Sequence, residues 1–492
     1  MVFSSLFFLY AFLPASLLAY RLCRSLKAKN LCLLVFSLIF YAWGEPKYVL
    51  LLAAMAFLDW FYALRIDAER SRGGRGRIWL ILACITDLGL IGFFKYSGMI
   101  ASLFGEPPAF IRSIALPLGI SFYTFQLLTY VADVYRGSSR AQRRLWHVLL
   151  YAALFHQCVA GPIVRYGSIE HELFSERDGS DELGEGVLRF SLGLAKKVML
   201  ANPCGAVADA MLVADSAMRD AQGLAAAVKT LSSRSVLGLW LGVAAFALQI
   251  YFDFSAYSDM AIGMGKMLGL HYPENFDHPY VSRSATEFWR RWHMSLGSFF
   301  RDYVYIPLGG SRCGRGRTLA NLLIVWALTG LWHGASWNFV LWGLYWFVFA
   351  AAERTFLRAA AAKLPAVVRA VISHVYLLTV ALLGWVLFKY TDLSLAATVF
   401  RGLAGANGNP LTDFSSVITG KNNMWLLGFA AVSATPVWSA LLSRIKKLST
   451  GEGAAPGFCR LLLYGLLPSV LLLLSTAGLV GNSYNPFLYF KF

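Results

Sequence analysis

Long apolar blocks, separated by short polar and basic stretches, organise this chain from end to end. A bilayer core about 30 Å thick takes roughly 20 apolar residues per helix, and fewer where the membrane is thinned. By that test the candidate spans are 3–20, 31–43, 47–64, 78–95, 114–134, 146–164, 187–213, 235–252, 318–333, 336–352, 371–390, 424–441 and 459–480. Hydrocarbon offers no water to unpaired backbone groups and does not tolerate open sheet edges, so the pattern predicts an all-α polytopic membrane protein. Residues 31–43 and 47–64 are separated only by Gly44, Glu45 and Pro46, which predicts a helical hairpin with both outer ends on one side. Lys196 and Lys197 inside 187–213, with Asp209 and Asp215 toward its end, predict a helix lying partly in the interface. No internal repeat or linker interrupts the series, so the chain reads as one domain, 1–492.

Composition sharpens this picture. Of the 492 residues, 58% are hydrophobic and 14% charged, against about 25% charged in a soluble domain. With 36 Phe, 23 Tyr and 15 Trp, the chain is not a disordered or fibrous one either. The net charge of +17 admits two readings, nucleic acid or membrane topology. The basic residues decide between them by lying between apolar blocks: Arg21 to Lys29, Arg65 to Arg77 and Arg136 to Arg144. Clusters in short connections mark the cytoplasmic face, so lipid is the expected partner and nucleic acid is not. No basic residue precedes the first apolar block, which predicts a retained segment with its amino end outside. The acidic segment 165–185, with Glu170, Glu172, Glu176, Asp178, Asp181, Glu182 and Glu185, is not assigned a side by this rule. The seven cysteines are scattered, without CxxC pairs, and read as small buried hydrophobes.

Candidate chemistry gathers between residues 251 and 346. Asp253 and Asp259, in DFSAYSD, are expensive in hydrocarbon, so they face a protein interior or a watery cavity, or else mark a helix end. The stretch EFWRRWHMSLGSFFRDYVYIPLGGSR (287–312) predicts a surface helix with Glu287, Arg290 and Arg291 on one side and Phe288, Trp292, Ser295 and Phe299 on another. Its arginines are explained by topology alone, or they attract anionic lipid, an anionic co-substrate such as coenzyme A, or an acidic carrier. In LTGLWHGASWNFVLWGLYW (328–346), His333 lies between two apolar blocks, beside Trp332, Gly334, Trp337 and Asn338. A buried imidazole kept neutral is a base able to take a proton from a hydroxyl, and Gly334 permits close approach. No HExxH or GxSxG element is present, and His147 and His156 have poor metal-ligand spacing, so no metal is expected. His171, His271, His278 and His374 read as solvated or capping residues beside loops and helix ends.

Three segments taken together, QIYFDFSAYSDMAIGMGKMLG (249–269), ENFDHPYVSRSATEFWRRWHMSLGSFFRDYVYIPLGGSR (274–312) and GLWHGASWNFVLWGLYW (330–346), resemble the membrane-bound O-acyltransferase family. Within it the sequence is similar to the bacterial branch that O-acetylates alginate, and more distantly to the D-alanyl transfer proteins of teichoic acids. MVFSS at the start, FYAWGEPKY (40–48), GISFYTFQLLTYVADVYRG (119–137), HQCVAGPIVRY (156–166) and NSYNPFLYFKF (482–492) extend the resemblance over nearly the whole chain. Lys389, in FKYTD, stands where an arginine is expected.

The resemblance implies a ring of about 11 to 13 tilted membrane helices, with interfacial and re-entrant helices, around a central tunnel. It implies that His333 is catalytic and His293 a second functional position. The implied reaction moves acetyl groups from a cytoplasmic thioester, acetyl-CoA or an acylated carrier, across the bacterial inner membrane toward a secreted polysaccharide. Periplasmic polysaccharide-acetylation proteins complete the transfer, and no bound cofactor is involved. Beside this implied reaction, Arg290 and Arg291 would face the nucleotide end of the donor, and Trp332, Trp337 and Asn338 would shape and polarise the pocket. The alternatives are D-alanyl transfer to another cell-wall polymer, and a transporter that carries acyl donor or lipid without chemistry.

Overall fold

In a computed structural model the described residues, 1–175, 177, 182–214, 218, 220–481, 487 and 488, form helices and connections without a strand. Glu176, Asp178, Asp181 and Asp215 lie outside them, as does the NSYNPFLYFKF ending apart from Phe487 and Leu488. The principal helices are Leu26–Gly44 (α1), Val49–Ser71 (α2), Arg77–Ser102 (α3), Ile120–Arg136 (α4), Leu145–Ala153 (α5), Leu183–Ala195 (α6) and Val236–Met267 (α7). They continue with Ala285–Arg291 (α8), Met294–Phe300 (α9), Gly314–His333 (α10), Trp337–Ala352 (α11), Ala366–Lys389 (α12), Phe414–Ser433 (α13), Val437–Leu448 (α14) and Ala454–Val480 (α15).

Six of these, α1, α2, α3, α7, α12 and α15, are long and apolar enough to cross a membrane, and α13 with α14, bent by 59° at their junction, pass the same test as a pair, as a broken span or a re-entrant loop does. The protein is therefore an all-α, multi-pass membrane protein. Hydropathy also picks out blocks that are not one long helix, because it does not distinguish a lipid-facing span from a shorter buried segment. The block 146–164 shows this: only α5 is helical, and residues 154–164 continue as buried, non-helical chain. Such backbone persists where protein surrounds it, and here the Ser37 hydroxyl accepts the Phe155 N–H at 3.1 Å.

The chain forms two compact units. One comprises the described residues of Met1–Leu194, Tyr257–Glu274 and Tyr464–Lys491. Its core includes the rings of Phe3, Phe8, Phe12, Phe40 and Phe155. The predicted hairpin is present as α1 and α2, with Ser25 capping α1 through the Ala28 N–H. The helices α2, α3 and α4 pack together, and Asp59 and Asp87, both wholly buried, meet through their side chains.

The other unit comprises Ala195–Ala256 and Asn275–Leu463. Here α10 and α11 form a hairpin crossing at glycines. A Cβ on Gly343 would stand 2.4 Å from the Trp326 carbonyl oxygen, and one on Gly330 would stand 2.3 Å from that of Phe339. Close backbone approach of this kind is how small residues hold membrane helices together.

Three sequence expectations change. His374 sits inside α12, with its ring 3.0 Å from the Ser282 carbonyl oxygen, and not at a helix end. Cys158 and Cys204 are buried hydrophobes as expected, whereas Cys313 is exposed. Lys197, a charge expected at polar surroundings, is buried inside the protein and paired with Asp253 at 2.6 Å, because a partnered ammonium costs far less there than a lone one.

Candidate functional site

The site is built where the predicted surface helix breaks. Its first half, α8, is capped by Ser284, whose Oγ accepts the Glu287 N–H at 3.0 Å. The buried carboxylate of Glu353 accepts the backbone N–H groups of Ala285 and Thr286, and the hydroxyls of Thr286 (2.6 Å) and Tyr376 (3.2 Å). These bonds satisfy donors that a helix start leaves unpaired. α8 stops at Arg291, since Trp292 turns extended and His293 adopts the left-handed conformation at φ +45° before α9 begins. A continuous amphipathic helix would leave His293 on its surface; the break buries it to 1% exposure.

Aromatic rings enclose the two histidines. The His293 ring lies edge-on to Phe254 at 4.7 Å and 5.6 Å from Trp332. His333, the last residue of α10 and 4% exposed, lies 4.9 Å from Trp332, 4.9 Å from Trp342 and 5.2 Å from Phe388. Trp332 therefore touches both imidazoles. His293 lies outside the membrane-crossing helices, and burial pushes it down to about 3 from the usual histidine range, so it is neutral at physiological pH. Beside His333, the buried indole N–H of Trp342 has no hydrogen-bond partner among the described residues.

A cavity of about 620 Å³ opens beside His293. Trp289 and Trp326 form apolar wall, and four arginines line it: Arg290 of α8, Arg301 directly after α9, and Arg354 and Arg358 after α11. The last two follow from a π-helical turn, Glu353–Leu357, which turns the Glu353 carboxylate inward to α8 and sets Arg354 on the cavity. π-turns of this kind recur at functional sites.

Of the residues expected from sequence, the structure brings His293 and His333 together about Trp332 and puts Arg290 on the cavity. Arg291 is instead tied to Glu287 (3.2 Å) and Asp277 (3.0 Å). Trp337 is 52% exposed at the start of α11 and does not line the cavity. Asn338 is buried and donates to the Leu387 carbonyl at 3.0 Å, fastening α11 to α12. Asp253 and Asp259 lie within α7, not at its end, each in an ion pair: Asp253 with Lys197, and Asp259 with Arg189 at 2.6 Å, which also holds Glu274. Sequence reasoning passed over Trp342, Arg354 and Arg358. Their signal was faint, an arginine pair four residues apart just past a span, which reads as an ordinary cytoplasmic flank.

The model of the membrane-bound O-acyltransferase family, MBOAT, matches residues 136–390, a stretch that contains both histidines and all four cavity arginines. A probable alginate O-acetylase of Azotobacter vinelandii is 35% identical over the full length of both chains. One from Pseudomonas aeruginosa is 38% identical over 82% of this chain and 75% of its own. A peptidoglycan O-acetyltransferase of Helicobacter pylori is 32% identical over 84% of this chain and 82% of its own.

Proposed function

Since this chain belongs to the membrane-bound O-acyltransferase family and is an O-acyltransferase, we propose that it transfers acetyl groups from a cytoplasmic thioester, across the bacterial inner membrane, for O-acetylation of a polysaccharide such as alginate. The observation that carries this reading is the meeting of His293 and His333 on one indole, Trp332, with His293 on an arginine-lined cavity. Thioester donors, whether acetyl-CoA or an acylated carrier, bear phosphates, and guanidinium groups pair with phosphate oxygens in two-point bonds. Arg290, Arg301, Arg354 and Arg358 hold that anionic end, while Trp289 and Trp326 pack along the apolar arm. The donor is a co-substrate, not a resident cofactor.

The chemistry follows from the second histidine. His333 takes the proton of an acceptor hydroxyl as its oxygen bonds to the acetyl carbonyl carbon. The carbon–sulfur bond then breaks, and the sulfur recovers that proton to leave as a thiol. Negative charge on the carbonyl oxygen needs a donor aimed at it, and the unpartnered Trp342 N–H beside His333 supplies one. Periplasmic acetylation proteins receive the group or pass it on.

The test is consumption of labelled acetyl-CoA, or of an acetylated carrier, by purified protein with a hydroxyl acceptor. His333→Ala is expected to lower turnover about 100-fold or more with membrane abundance near wild type, and His293→Ala to lose activity strongly too. Undiminished acetyl transfer by His333→Ala removes that residue from the reaction. Passage of intact donor without thioester cleavage shifts the reading to a transporter, and preference for a D-alanyl thioester shifts it to D-alanylation.

A further inference from the structure

Asn275, in the connection before α8, is wholly buried and lies against His293. Its side-chain oxygen Oδ1 accepts the backbone N–H of Ser295 at 3.1 Å and the Ser295 hydroxyl at 2.9 Å, and lies 3.1 Å from His293 Nδ1. Its backbone oxygen accepts the Met294 N–H at 2.9 Å. Four bonds from one residue thus brace the turn at which His293 takes its left-handed backbone, a conformation costly for most side chains.

The same bonds settle which ring nitrogen carries the hydrogen. A backbone N–H only donates, so the atom of Asn275 facing Ser295 N is the amide oxygen and not the amide nitrogen. That oxygen only accepts, so His293 Nδ1, which faces it, is the protonated nitrogen. The Ser295 hydroxyl lies 2.9 Å from this oxygen and 3.5 Å from Nδ1, and gives its one hydrogen to the nearer atom. Nε2 is then a bare lone pair, buried and without a protein partner among the described residues, on a ring that lines the cavity.

We infer that Asn275 is a positioning residue for acyl transfer: it fixes His293 as the Nδ1–H tautomer, so that Nε2 accepts a hydrogen bond from an N–H or S–H group of the thioester donor's arm or of the released thiol. This rests on the reading of the cavity as the donor site. Neutral imidazole is required, and the surroundings supply it. The charged groups on the cavity are the guanidinium groups of Arg290, Arg301, Arg354 and Arg358; Arg301 is paired with the Asp302 carboxylate at 2.6 Å, and the other three disfavour a second positive charge. From α7 the ring meets Phe254, and the neighbouring carboxylate of Asp253 is engaged with Lys197.

Two measurements test this. In full-length protein labelled with ¹⁵N-histidine, the signals that vanish in His293→Gln are expected to report hydrogen on Nδ1 and a bare Nε2 from pH 5 to 8; hydrogen on Nε2, or titration within that range, overturns the inference whether or not the cavity binds a thioester. In acetyl transfer, His293→Gln places an amide group near the Nε2 position and is expected to retain at least about tenfold more activity than His293→Ala, in keeping with a hydrogen-bonding role smaller than that of a proton-transfer group. Equal loss in both variants overturns it. Asn275→Asp keeps the accepting oxygen but adds a charge that favours imidazolium, and is expected to introduce an activity loss toward pH 5 that wild type lacks; superimposable pH profiles overturn the inference. If wild-type protein consumes no thioester at all, the donor reading fails by itself, and the tautomer measurement still stands.

Discussion

Two carboxylates grip the His271 imidazole, Glu172 at Nδ1 (2.7 Å) and Glu182 at Nε2 (2.8 Å), and Glu172 also accepts the His271 backbone N–H at 2.9 Å. Partial burial alone disfavours the imidazolium, but the two carboxylates outweigh it and raise the pKa above its usual value. A group whose pKa is raised by folding stabilises the fold fully below its unfolded value, about 6.5, and that contribution fades as pH rises through the folded value. Melting curves are therefore expected to separate wild type from His271→Gln most below about pH 6 and least near pH 8; a gap that widens toward pH 8 contradicts this sign. Sequence alone marked His271 as an ordinary solvated residue, because its two partners are about 90 or more positions away. Distance along the chain also hid Asn275 behind His293. His333 stood out for a different reason, since an ionisable side chain between apolar blocks is conspicuous by its type, without knowledge of its contacts, whereas His293 was singled out through the family resemblance.

At the scale of elements, the hairpin of α10 and α11 carries His333 at its tip, and its closeness depends on glycine. A methyl group added at Gly343 meets a backbone oxygen, which cannot swing aside as a side chain would. Gly343→Ala is expected to cost about 1–3 kcal/mol, read as a lowered melting temperature of the detergent-solubilised protein; an unchanged melting temperature would show that the hairpin opens without cost. Hydropathy located this hairpin and the longest spans, because length and apolar content are local properties. It failed at 287–312, where period alone predicts one helix and tertiary bonds from Asn275 and Glu353 make two. It failed again at 154–164, where buried apolar chain is not helical.

For the whole molecule, the proposed function gives part of the excess positive charge a use beyond topology. Arg354 and Arg358 are exposed at the cavity and lie together along one turn. Removing both, as Arg354→Ala with Arg358→Ala, is expected to raise KM for acetyl-CoA about five- to tenfold, as for exposed charge pairs of up to about 1 kcal/mol each, with kcat nearly unchanged. Added salt would raise the wild-type KM more than that of the variant, since screening acts on the charges removed; equal salt dependence would place the donor phosphates elsewhere. The family was legible in the motifs, which are strings of neighbours, whereas the cavity was not, since its walls come from separate stretches of chain around Trp289, Trp326 and Arg354.

The shortness of α8, seven residues, and of α9, which with its π-helical continuation ends at Tyr305, bears on when this site comes into being. Isolated helices shorter than about 12–15 residues are marginal in water, so neither segment holds its shape unaided. Their order is lent by Glu353 from the end of α11 and by Asn275 from the chain before them. The turn that buries His293 therefore takes its final form only once Glu353, just past α11, is in place, so on the proposed function a nascent chain that has not yet reached this residue has no finished donor site.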